Sequence, residues 1–172
     1  MSNESALFES MDIAQLSAML QNAGYRSTEV DQNGLVQLLS ASQGIGFVLR
    51  PGNPGEEPGQ VVDFTLSCAL QIQNGLPANL VSEWNRIKRF SRLSEQGDFL
   101  VLTKDVVVAG GVSERYLRAN MELWDRLLQD YVLFLRNFSR VNAQAPVSTS
   151  SVELEQAESE QADINLSAEQ QA

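Results

Sequence analysis

Seven large apolar residues near the C-terminal end, Leu117, Met121, Trp124, Leu128, Tyr131, Leu135 and Phe138, recur in alternating steps of four and three. That spacing is one stripe of a helix held over three heptads, and it predicts a helix over 114–138. Leu127 and Phe134 widen the stripe into the broader face of a helix lying on a sheet. Two readings stand for this face: sheet-packing core, or a seam that a second copy shares. Ser113 is a good N-cap, and Glu114 gains from the positive helix end. Glu114/Arg118 and Glu122/Arg126 are i,i+4 pairs in the favourable order, worth ~0.2–0.5 kcal/mol each.

Upstream, the chain supplies the strands such a helix needs. Asp12 is a candidate N-cap for a first helix carrying Ile13, Leu16, Met19 and Leu20, which Gly24 ends. Tyr25 to Val30 reads as a strand, and the Asn33-Gly34 turn returns the chain along Leu35 to Ser40. Ser42-Gln43-Gly44 turns it again into Ile45 to Arg50. Pro51 to Gly59, with three prolines and three glycines, reads as a spacer loop without phosphate-binding spacing. Val61 to Gln71 alternates, with Val62, Phe64, Leu66, Cys68 and Leu70 on the buried side. A short helix over about 77–89 follows, then strands at Phe90 to Leu93 and Phe99 to Val108 around a turn at Ser94 to Asp98. The order α-β-β-β-β-α-β-β-α predicts an α+β fold, an antiparallel sheet with helices packed on one face.

The short helix is the most chemically distinct stretch. Leu80, Trp84 and Ile87 form its apolar stripe, with Trp84 read as a core anchor, as is Trp124 on the last helix. Arg86, Lys88, Arg89 and Arg92 place four of the chain's twelve basic residues within seven positions. Arg86 and Arg89 are read on one helix face. Two readings stand for these cations: a solvated face, or a docking patch for an acidic partner. Asn85 is read as a hydrogen-bonding partner of a loop or strand edge in preference to a ligand contact.

Charge and composition bound the function. The net charge of 172 residues is −10, yet residues 141–172 hold six acids (Glu153, Glu155, Glu158, Glu160, Asp163 and Glu169) and no base. The remainder is therefore only mildly acidic, which argues against general nucleic-acid binding. No apolar run is long enough for a membrane span. The acidic N-terminus lacks the features of a signal peptide, and a single cysteine makes no internal disulfide, so a cytoplasmic location is expected. Without histidine, Ser-His-Asp and Cys-His catalysis and the usual zinc ligands are absent. Asp63 and Asp105 lie in strands without forming a spaced ligand set. No catalytic residue, metal site or cofactor is assigned, and an enzyme is not expected. Residues 1–11 read as a loose lead-in, 12–140 as the α+β domain, and 141–172 as a disordered acidic tail. The tail is also a candidate to compete for the basic patch.

Three segments carry a resemblance. Val81 to Phe90, with its Trp-Asn pair, basic residues and aromatic, resembles the second-helix motif of the YbjN-domain family of bacterial sensory-transduction regulators. Val106 to Val112 is similar to that family's Gly-Gly turn, and Leu117 to Trp124 to the start of its last helix. The similarity spans roughly residues 12–138. It implies a fold similar to type III secretion chaperones, protein binding, often as a homodimer, and no catalysis. It carries no catalytic residue onto this chain. The expected function is a cytosolic regulatory or chaperone-like module with an unidentified protein partner. The alternative is a small-molecule sensor with Trp84 and Trp124 as pocket walls, and a third possibility is an acid-based hydrolase or metal enzyme.

Overall fold

In the computed structural model, residues 7–72 and 75–144 are described, the last four as backbone only. The chain divides into two units, Met1–Phe138 and Ser139–Ala172. The first holds the sheet and most of the helical structure; the expected acidic tail lies outside the described residues apart from 141–144.

The element order is α1 (Ile13–Asn22), β1 (Thr28–Gln32), β2 (Leu35–Ser42), β3 (Ile45–Pro51), β4 (Asp63–Gln71), α2 (Leu80–Ile87), β5 (Arg92–Gln96), β6 (Phe99–Val107) and α3 (Glu114–Gln144). The six strands form one antiparallel sheet in the order β1-β2-β3-β4-β6-β5, confirming the α+β class and the predicted succession. The turns at Asn33-Gly34 and Gln43-Gly44 have positive φ at both central residues, 56° and 82°, then 50° and 83°. This is the type I′ geometry whose twist matches that of the flanking strands.

Strand alternation puts Leu38, Phe47, Leu49, Phe64, Leu66, Cys68, Leu93, Leu100, Leu102 and Val106 on one face of the sheet, all buried. Helix residues Leu16, Leu20, Leu80, Trp84, Leu117, Met121, Trp124, Leu128 and Tyr131 close over them in a single core. The α3 stripe is therefore core from Leu117 to Tyr131, while Leu135 and Phe138 are partly buried against its edge. Tyr131 donates its hydroxyl to the Leu100 carbonyl at 3.1 Å, tying α3 to β6.

Several boundaries differ from the sequence reading. Tyr25 lies outside β1; its N–H continues the end of α1 by bonding the Leu20 carbonyl, and its ring meets Phe47 edge-on. Helix α2 starts at Leu80, three residues past Pro77, and stops at Ile87. Strand β5 starts at Arg92, two residues past Phe90, so Ser94 to Gln96 belong to the strand and the turn shrinks to Gly97-Asp98. Phe8 and Met11, read as lead-in, form backbone bridges to Val112 and Val61, and Met11 is 1% exposed. An apolar side chain at each of these points anchors the segment. Of the two expected ion pairs on α3, Glu114–Arg118 forms at 3.9 Å; Glu122 and Arg126 form none among the described residues.

The edge of β5 is closed by a side chain. Leu93 donates its N–H to Asn85 Oδ1, and Asn85 Nδ2 donates to the Leu93 carbonyl, both at 2.9 Å. A carboxamide thus stands where a neighbouring strand would pair, which protects an edge otherwise open to association. Asn85→Ala removes both bonds and is expected to cost about 1–2 kcal/mol. Because it also bares the edge, light scattering of the folded variant should show self-association that wild type lacks. A monodisperse variant melting as wild type would show that Asn85 does not guard this edge.

Candidate protein-interaction site

The four cations singled out in the sequence have separate fates. Arg86 pairs with Glu83 one turn earlier, with contacts of 2.6 and 3.0 Å. This pairing raises the Arg86 pKa and lowers that of Glu83, the side-chain hydrogen bond being the main cause for each. Lys88, the C-cap of α2, reaches Asp130 on α3 at 2.6 Å and lies 5.7 Å from the centre of the Trp84 ring. These two charges are spent within the fold.

Arg89 and Arg92 form none of the described ion pairs. Arg89 falls beyond the end of α2, so it does not share a helix face with Arg86 as the spacing suggested. Its guanidinium instead covers the Phe90 ring at 4.7 Å, a cation–π distance. Phe90 has a φ of 67° and is 60% exposed. For a bulky residue this left-handed backbone is strained, and such strain persists where the surroundings impose it. The imposition is visible on both sides. Lys88 is held by its ion pair and by its N–H bond to the Trp84 carbonyl. Ser91 Oγ accepts the Trp84 indole N–H at 3.3 Å, and Leu93 is clamped by Asn85. The short link between these ties turns the Phe90 ring outward. Ile87, expected in the apolar stripe of α2, is 45% exposed at the same corner. Residues 80, 84 and 87 share the helical stripe, but α2 ends at Ile87 and leaves its side chain exposed.

The corner between α2 and β5 therefore carries Ile87, Arg89, Phe90 and Arg92. Of these, Ile87 and Phe90 were not read as surface groups. The local signal was an aromatic set between arginines just past a helix end, which reads equally well as the first residue of a strand.

The tryptophans are placed otherwise than in the sensor reading. Trp84 and Trp124 are both 0% exposed, Trp84 against Tyr131 and Phe134, Trp124 against Phe47. They fill the core and present no wall to solvent.

The acids show the same engagement. Asp63 accepts from the Asn53 backbone and side chain, and Asp105 accepts from Thr65 at 2.6 Å. Among the described residues no cluster of three or more acids or cysteines could hold a metal ion. Burial pushes the Cys68 thiol up to about 11, away from the thiolate a nucleophile needs. Lys104, 6% exposed, points into the core and donates to Asn120 Oδ1 at 2.7 Å; burial lowers its pKa. No helix among the described residues is long and apolar enough to cross a membrane.

The fold and this corner define a small α+β domain that exposes Ile87 and Phe90 beside Arg89 and Arg92. The family model of YbjN, described as "putative bacterial sensory transduction regulator", matches residues 12–137. The chain belongs to the YbjN family. No curated protein and no solved structure matches it.

Proposed function

We propose that this YbjN-family protein is a non-enzymatic regulatory module that binds another protein through the corner between α2 and β5, in keeping with the chaperone-like and cytoplasmic reading of the sequence. The observation that carries this is the Arg89–Phe90 pair: an exposed aromatic, held outward by a strained backbone, under an arginine with no ion pair among the described residues. Exposed aromatic and arginine side chains are the residue types that dominate binding energy in protein interfaces. Arg89 and Arg92 favour an acidic segment, and Ile87 and Phe90 favour one that also carries an apolar anchor. The small apolar area suits a partner bound transiently.

The test is affinity capture from native cytosol with wild type and Arg89→Glu/Arg92→Glu. Substituting Arg86 or Lys88 would confound it by breaking ion pairs to Glu83 and Asp130. A protein captured by wild type and lost by the double variant, with unchanged melting, supports the reading; identical captures would overturn it. Phe90→Gly sharpens the comparison. Glycine adopts positive φ without strain, so the variant is expected to be as stable as wild type or up to about 1 kcal/mol more stable. It should nevertheless capture less.

A further inference from the structure

Two adjoining grooves run between α1 and the first turns of α3, remote in sequence from the α2–β5 corner. One, of about 190 Å³, has Phe8, Met11, Met19 and Leu117 among its walls. The other, of about 210 Å³, is bordered by Tyr25, Met121 and Glu122. They share Asn22, Ala23 and Arg118 and so adjoin, the first with the more apolar lining and the second with the more polar one. Met19 is the methionine that offers surface to the first groove; Met11 and Met121, each 1% exposed, back the first and second grooves from the core. Thioether side chains are unbranched and polarizable, and they adapt to apolar ligands of varied shape.

The two linings together are net negative. Glu122 has no ion pair among the described residues. Asp125, one turn of chain beyond Met121 and outside both linings, accepts from Ser42 and Gln129 and has no ion pair among the described residues. The Tyr25 hydroxyl feels both carboxylates: its pKa is raised by burial first, then by Asp125 and Glu122. Arg118 is the one cation in either lining; it meets Glu114 at 3.9 Å, an exposed pair, so the two linings together carry two carboxylates and one guanidinium. A ligand with an anionic head would meet Glu122 unfavourably, whereas a cationic head would complete its pairing.

We infer that these adjoining grooves bind a short amphiphilic amine, its apolar tail against Phe8, Ala18 and Met19 and its ammonium group at the Glu122 carboxylate. Such a site would give the protein a small-molecule input separate from its docking corner. The chemistry fits the groove better than the tryptophan-walled pocket, since both tryptophans are enclosed in the core.

The experiment titrates the full chain with 1-octylamine, octanoate and 1-octanol, each kept below micelle formation, and follows binding by calorimetry. Octylamine is expected to bind most tightly and octanoate most weakly. Glu122→Gln, a substitution on the exposed side of α3, should weaken octylamine by about two- to five-fold, the range for losing one exposed ion pair. It should leave octanol unchanged. Ala18→Phe, which fills the first groove, should weaken both. Octanoate binding as tightly as octylamine, an octylamine affinity indifferent to Glu122→Gln, or no octylamine binding at all would each overturn the inference.

Discussion

Trp84→Ala is expected to destabilise the whole first unit by about 3–5 kcal/mol, the cost of truncating a fully buried tryptophan. The side chain is 0% exposed and meets Tyr131 and Phe134 of α3 edge-on, with ring centres 5.6 and 5.3 Å away. Removing it leaves a cavity between α2 and α3 that neither helix can close, because α2 is also fixed to β5 through Asn85. The melting midpoint followed by circular dichroism should fall by roughly 10 °C or more. The corner should suffer as well, even below the midpoint. Ser91 loses its bond from the indole, and Lys88 loses the ring beneath it. Partner capture should therefore weaken in the folded variant. A wild-type melt would mean that the Trp84 ring carries little of the core.

Trp124→Ala is expected to cost as much, about 3–5 kcal/mol, and to do so without touching the corner. Trp124 is also 0% exposed, but it lies over the opposite part of the sheet, where its ring meets Phe47 at 5.9 Å and Phe47 in turn meets Tyr25 at 5.8 Å. Its loss loosens α3 from β3 and from the chain leaving α1. Measured well below both midpoints, Trp124→Ala should retain partner capture while Trp84→Ala loses it. Equal loss of capture in the two variants would show that the corner reports global stability and is not a local surface held by Trp84.

The two tryptophans also show how far a linear reading reaches. Both were legible as core anchors, since each sits in an apolar stripe of helical period, and periodicity is a property of the local chain. Their use as pocket walls was an inference about what surrounds them, and the aromatic neighbours that enclose Trp84 come from positions 131 and 134. The hairpins were legible for the same local reason: Asn33-Gly34 and Gln43-Gly44 adopt positive φ readily, and the turn sets the register of the strands beside it.

The basic cluster was legible only as a count. Arg86 and Glu83 are three residues apart, a pair within reach of sequence reasoning, whereas Lys88 and Asp130 are brought together across 42 residues by the packing of α2 on α3. Which arginines of the cluster lack an ion pair among the described residues therefore depends on where α2 stops, and it stops early. Phe90 illustrates the limit. Apolar composition assigned it to a strand, but clamping of Leu93 by Asn85 starts the strand later and leaves Phe90 in the link.

By itself, the sequence determined the succession of helices and strands, the core-facing residues of the longer elements and the family, because each is written in periods and motifs a few residues long. Tertiary structure decided which charges are neutralised, which aromatic is turned to solvent and where apolar grooves remain between α1 and α3. Those outcomes depend on distances between residues far apart in the chain, and only the packed sheet and helices set such distances.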